Sequence, residues 1–466
     1  MQWPYTRVEF TQRGAIADPA QLEHALALVR SPRGHAPTDV LLLAHGWNND
    51  IADAERLFTE LGDNVADLAR TQAPARRWAV IGLVWPSVKW ADDGQLAGRG
   101  LSAGGALPLL LDAITERVPD PAVAAELRRL AGGLDVSAEA RTRFLGCLRQ
   151  LLPADPEVQD DDPLPGALRA GDTEEVFGQA AEAENDVRAD PEPTAEPTAD
   201  PTGPPSDVGL PPGVPPDFLA STGSAAGLSL GDLDPTRLAR QLLNTTTYYT
   251  MKARAGSVGT HGVAPLLGRL AAASGGPRLH LAGHSFGARV VTAAAAVSEV
   301  PIASVTLLQG AFSHRSFSGS GAPAGAFRGL LTRPELVGPV VVTHTHNDKA
   351  VLLAYAVASR LARQAGAALG DADDPYGGLG ANGAVATEET DVGTLGDAAT
   401  RYRFAPRRIT NLRADRFVSG HGDVRNPAVA NALLQAMLAA PVGGVPTTAD
   451  AEPAARVPQP AGGALS

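Results

Sequence analysis

The sequence predicts an α/β fold, a mostly parallel sheet with helices on both faces. Three observations carry this. Short, largely apolar runs recur at 39–44, 78–85 and 302–308, as expected of strands buried on both faces of a parallel sheet. Stretches with helical spacing lie between them. The 466 residues are 44% hydrophobic, enough for a sizeable core, and the single Cys147 excludes an intrachain disulfide.

In order along the chain, 5–10 alternates and is rich in β-branched and aromatic residues, so it reads as a first strand. Residues 21–30 read as a short helix. The strand at 39–44 ends in His45-Gly46-Trp47-Asn48-Asn49-Asp50. Asn48, Asn49 and Asp50 read as a turn and a helix cap. A helix over 51–71 follows, with Leu57, Phe58, Leu61, Val65 and Leu68 on one face. The strand at 78–85 is stopped by Pro86. Residues 88–234 then carry no buried-strand pattern, and helices are expected near 121–131 and 137–152. The tandem Pro-Thr-Ala units of 190–201 and the prolines of 211–216 cannot build a packed core, so about 155–225 is expected to be disordered. Helical spacing returns over 238–255 and 262–274. Strands are expected at 278–282, 302–308, 339–343 and 409–418, and helices at 288–297, 350–364 and 427–439. A glycine-rich acidic loop is expected over 366–398, and a disordered tail over 441–466. The division that follows is a core in two parts, 1–90 and 235–440, interrupted by an insertion at 91–234.

Charge separates along the same boundaries. The net charge is −12, but residues 155–200 hold fifteen acidic residues against Arg169 and Arg188, which leaves the rest near neutral. No basic pattern points to nucleic acid. No apolar run is long enough to span a membrane, and the N-terminus lacks a signal-peptide pattern, so a cytoplasmic protein is expected. The acidic, proline-rich segment has two open uses, as part of a lid or as a tether for a partner protein.

The most informative motif is Gly283-His284-Ser285-Phe286-Gly287. It follows an apolar strand and precedes an Ala/Val-rich helix. A strand that turns at once into a helix strains the central serine and exposes its Oγ, and the flanking positions must be small. Asp348 follows the strand at 339–343, and His421 stands in Ser419-Gly-His-Gly after the last strand.

With these residues the chain resembles the α/β-hydrolase superfamily over about 1–90 and 235–440. The resemblance implies an α/β-hydrolase fold carrying a long, partly disordered insertion. It implies a catalytic order of Ser285, Asp348 and His421 as nucleophile, acid and base. It also implies an oxyanion hole built from the N–H of Phe286 and that of Gly46 or Trp47. The implied activity is cofactor-free hydrolysis of a small-molecule or lipid-like carboxylic ester through an acyl-enzyme. Thioester, amide and lactone substrates, and acyl transfer, stay open. Asp415, Asp371, Asp373 and Asp374 are rival acids. His45 is expected to buttress the oxyanion loop, and His284 to pack and hydrogen-bond inside the turn. Trp47, Phe286 and Phe312 are candidates for an acyl pocket. Two other readings remain: a binding or scaffold protein that kept the fold, and a metal hydrolase using His344, His346 and Asp348 at a period of two. The second resembles part of the metallo-β-lactamase motif, with Lys349 at its last position.

Overall fold

A computed structural model describes residues 1–30, 36–47, 49–87, 106–118, 120–152, 166–178, 180, 235–273, 276–319, 324–348 and 377–440. The first part of the chain runs β1 (Tyr5–Glu9), α1 (Pro19–Arg30), β2 (Asp39–Ala44), α2 (Ile51–Gln72) and β3 (Trp78–Val84). Helices follow, among them α3 (Ala106–Arg117), α4 (Pro121–Ala131), α5 (Ala138–Leu151) and the short α6 (Gly166–Ala170). Helix α7 (Pro235–Val258) continues through a π-helical turn, Gly259–Val263, into α8 (Ala264–Ala273). Then come β4 (Arg278–His284), α9 (Phe286–Val297), β5 (Ile302–Leu308), β6 (Val340–His344), α10 (Leu379–Asn382), β7 (Thr390–Thr394), β8 (Ile409–Arg413) and α11 (Pro427–Leu438).

The eight strands form one sheet in the order β1-β3-β2-β4-β5-β6-β8-β7, every neighbouring pair parallel. All carboxyl ends therefore share one edge. From β2 the chain first moves outward to β3, then crosses back to place β4 on the other side of β2. Loops leaving β2 and β4 diverge at this switch point, where open parallel sheets form their crevice. Alternate strand residues feed two cores. One packs Val40, Leu42, Leu279 and Leu281 with α1, α8, α9 and the end of α7. The other packs Leu41, Leu43 and Val341 with α2 and α11. Because both faces are covered, β2 and β3 are buried at every residue.

Several expectations change. The loop expected over 366–398 contains strand β7, an edge strand of sequence Thr-Asp-Val-Gly-Thr whose Val392 is exposed. Half-exposed edge positions need no apolar pattern, so none was visible. The strand expected over 409–418 stops at Arg413, because the N–H groups of Phe417 and Val418 both turn back to the Ala414 carbonyl. Helix α3 was not anticipated. Part of the stretch expected to be disordered is packed: Leu168, Val176, Phe177 and Ala180 are buried in a third core with α3, α4, α5 and the start of α7. These few apolar residues are outnumbered by their acidic and proline neighbours, which hid them in the composition. The helix expected at 350–364 and the tail after 441 lie outside the described residues.

Candidate active site

Ser285 sits where β4 ends and α9 begins, with φ 56° and ψ −123°. A non-glycine residue held there stores on the order of 1–3 kcal/mol, supported by its surroundings. Those surroundings are close. A Cβ on Gly283 would lie 2.2 Å from the Gly287 carbonyl oxygen, and one on Gly287 would lie 2.4 Å from that of Ala44. Only glycine at both positions lets the turn close against itself and against the end of β2. The Ser285 N–H is held by the Leu308 carbonyl at 3.0 Å, and its own carbonyl accepts from Ala311 N–H at 3.2 Å.

His421 and Asp348 meet this serine from the neighbouring loops. Ser285 Oγ is 2.8 Å from His421 Nε2, and His421 Nδ1 is 2.8 Å from Asp348 Oδ2. The carboxylate accepts from Nδ1–H, which leaves Nε2 free to accept the hydroxyl proton. Asp348 is fully buried, and Ser285 and the His421 side chain keep 5% and 11% exposure. Asp415, the described rival, is engaged elsewhere: its Oδ1 accepts from Thr345 Oγ1 at 2.8 Å and from His346 N–H at 3.1 Å. Asp371, Asp373 and Asp374 lie outside the described residues.

The loop after β2 reaches the serine because Ala44 is in register with Gly283. A Cβ on Gly46 would lie 3.0 Å from Ser285 Cβ. Its neighbour His45 is buried, and burial pushes its imidazole down to about 4. Trp85 N–H donates to His45 Nε2 at 3.1 Å, so the proton is on Nδ1, which donates to the Gly46 carbonyl at 2.8 Å. Trp85 Nε1–H returns a bond to the His45 carbonyl at 2.8 Å, and the two rings stack 5.7 Å apart. Asp50 caps α2: Asp53 N–H donates to Asp50 Oδ1 at 2.8 Å, with the reciprocal bond at 3.4 Å. Asn48 lies outside the described residues.

His284 packs and hydrogen-bonds, but its partner lies outside the turn. Its Nε2–H donates to the backbone carbonyl of His421 at 2.8 Å, and the two rings lie 4.8 Å apart. Burial, with the neighbouring His421 second, pushes its imidazole down to about 3. Trp47 and Phe286 meet at 5.7 Å, beside Tyr248. Phe312 joins a different group with Phe317 and Phe327.

The period of two at His344, His346 and Asp348 does not carry past the end of β6. His344 Nδ1–H donates to the Ala381 carbonyl at 3.2 Å, exposed His346 faces Asp415 at 3.7 Å, and Asp348 turns to His421. Among the described residues no three His, Cys, Asp or Glu side chains gather as a metal site.

A second Ser–His–Asp line went unnoticed in the sequence. Toward the amino ends of the central strands β2, β4 and β5, Ser304 Oγ donates to His280 Nδ1 at 2.9 Å and His280 Nε2–H donates to Asp39 Oδ1 at 3.0 Å. Arg278 holds both Asp39 oxygens at 2.8 Å. All three members are fully buried, which denies any substrate access. Histidine within the apolar run Arg278-Leu-His-Leu-Ala282 was the available signal. Three residue types in line therefore do not make a site; the strained, reachable turn at Ser285 sets that array apart.

No helix among the described residues is long and apolar enough to cross a membrane. No family model matches the chain, and neither a curated protein nor a solved structure matches it.

Proposed function

We propose that the protein is a serine hydrolase of the α/β-hydrolase fold, cleaving carboxylic esters through an acyl-enzyme. The observation that carries this is the 2.8 Å, 2.8 Å line from Ser285 Oγ through His421 to Asp348, ending on a serine held at φ 56°. In this reading Ser285 Oγ attacks the ester carbonyl carbon while its proton passes to His421 Nε2. Asp348 holds the ring and stabilises the imidazolium. The oxyanion is met by the Phe286 N–H, unsatisfied within the helix because it opens α9, and by an N–H of the Gly46–Trp47 loop. The carbon–alkoxide bond breaks as His421 returns its proton to the leaving alcohol. Water then attacks the acyl-enzyme, giving its proton to His421, which passes it to Ser285 Oγ as the carbon–Oγ bond breaks and the acid leaves. No step calls for a cofactor.

Labelling with a fluorophosphonate, followed by peptide mapping, tests the reading. Wild type should label at Ser285 and Ser285→Ala should not. His421→Ala should lose labelling, and Asp348→Asn should slow ester turnover by about 10⁴-fold, the cost of an imidazole in the wrong tautomer. A folded wild type that resists labelling and hydrolyses no ester would favour a binding protein instead.

A further inference from the structure

Helix α7 belongs to two cores. Its early turns, through Leu238, Leu242 and Leu243, close the core of helices α3–α6. Its later turns, from Tyr248 onward, pack against the sheet. The polar junction between them satisfies itself: Thr245, Thr246 and Thr247 each donate to the carbonyl four residues back, at 2.8–3.0 Å. Thr250 Oγ1 lies 2.9 Å from the Leu151 carbonyl, tying α7 to the end of α5.

Tyr248 is the first ring of α7 on the sheet side of that junction. It is buried, with its centroid 5.2 Å from Phe286 and edge-on to Trp47 at 6.3 Å. Those residues flank the space where an oxyanion would form. The other side of the loop is fixed by His45, whose Nδ1–H holds the Gly46 carbonyl. A trans peptide sends its N–H opposite to its carbonyl, so this bond directs the Trp47 N–H away from His45. The peptide thus has two anchors, the Gly46 oxygen on His45 and the Trp47 ring packed against both Tyr248 and Phe286, which also meet each other.

Resting on the proposed function, we propose that Tyr248 is a positioning residue for the oxyanion hole. Its ring holds the Trp47 peptide in place and ties it to the helical segment between β3 and α7. An oxyanion donor works over a window of only about 0.4 Å, so an anchor that leaves a void beside Trp47 weakens it without touching substrate.

The test uses the full chain and three variants, Tyr248→Ala, Tyr248→Leu and Tyr248→Phe. Each is checked for folding by thermal circular dichroism and assayed for kcat and KM on a short-chain nitrophenyl ester. Tyr248→Ala and Tyr248→Leu should lower kcat about ten- to a hundredfold, with KM within about twofold, the signature of an interaction made only in the transition state. Tyr248→Phe keeps the ring and should restore kcat to within about threefold of wild type. Wild-type kcat in Tyr248→Leu, or a raised KM at unchanged kcat, would overturn the proposal and make Tyr248 a pocket wall. If Tyr248→Ala does not fold, the Leu and Phe variants decide the matter alone. Wild-type labelling at Ser285 separates the two claims: without it the serine-hydrolase reading falls and this one with it, whereas labelled wild type with an unaffected Tyr248→Leu sinks only this one.

Discussion

Adding one methyl group at Gly46 tests how closely the loop after β2 serves the serine. An ideal Cβ there would stand 2.9 Å from His284 Nδ1, 3.0 Å from Ser285 Cβ and 3.3 Å from His284 Cε1. Ordinary contact begins near 3.4 Å, so the loop or its neighbours must yield by about 0.5 Å. Neither neighbour gives easily. Ser285 is pinned by backbone bonds to Leu308 and Ala311, and His284 by its bond to the His421 carbonyl. The backbone at Gly46 is not in the left-handed region, so alanine adds bulk without conformational strain. A shift of about 0.5 Å exceeds the 0.4 Å tolerance of an oxyanion donor, whose loss costs about 3 kcal/mol. Gly46→Ala should therefore lower kcat on a short-chain nitrophenyl ester about a hundredfold, and slow fluorophosphonate labelling similarly. KM should move little. A folded Gly46→Ala protein with kcat within about threefold of wild type would refute the reasoning, because the loop would then not be holding a transition-state contact.

Two further outcomes concern stability. Asp39→Asn should lower stability by about 3 kcal/mol in urea unfolding, because it leaves Arg278, Arg76 and His280 facing a neutral amide. Labelling at Ser285 should be unaffected, and a loss of labelling in folded Asp39→Asn would show the two arrays to be coupled. Acid should also weaken the fold well above the carboxylate range. His45 and His284 stay neutral in the fold, down to about 4 and about 3, while in the unfolded chain they protonate below about 6.5. The unfolded state then binds the extra protons, so stability falls as pH drops, by about 2 kcal/mol per histidine between pH 8 and pH 5. A urea midpoint unchanged between those pH values would mean that these rings are protonated or solvated in the native state.

Much of the candidate site was legible because its parts are local. Gly283 and Gly287 announce a turn that admits no side chain, and an apolar strand followed at once by an alanine-rich helix supplies its context. Gly46 was singled out by the resemblance rather than by a local pattern. The choice of acid was less so. Asp348 and Asp415 both follow strands, and what separates them is that Thr345 and the His346 N–H occupy Asp415 while the loop at His421 faces Asp348. Strand β7 and the packed residues Leu168, Val176, Phe177 and Ala180 escaped because a half-exposed edge and a short apolar patch among acids and prolines leave no periodic trace.

By itself the sequence determined the buried central strands and the strained serine turn. These follow from short-range sterics and from burial on both faces of a sheet, which a chain writes into consecutive residues. The tertiary structure alone decided which side chains meet. Parallel register sets Ala44 beside Gly283 and so brings Gly46 to Ser285. The same register lines up Asp39, His280 and Ser304 toward the amino ends of β2, β4 and β5, where burial leaves them only a structural role. Such meetings depend on crossovers spanning hundreds of residues, and no local pattern encodes them.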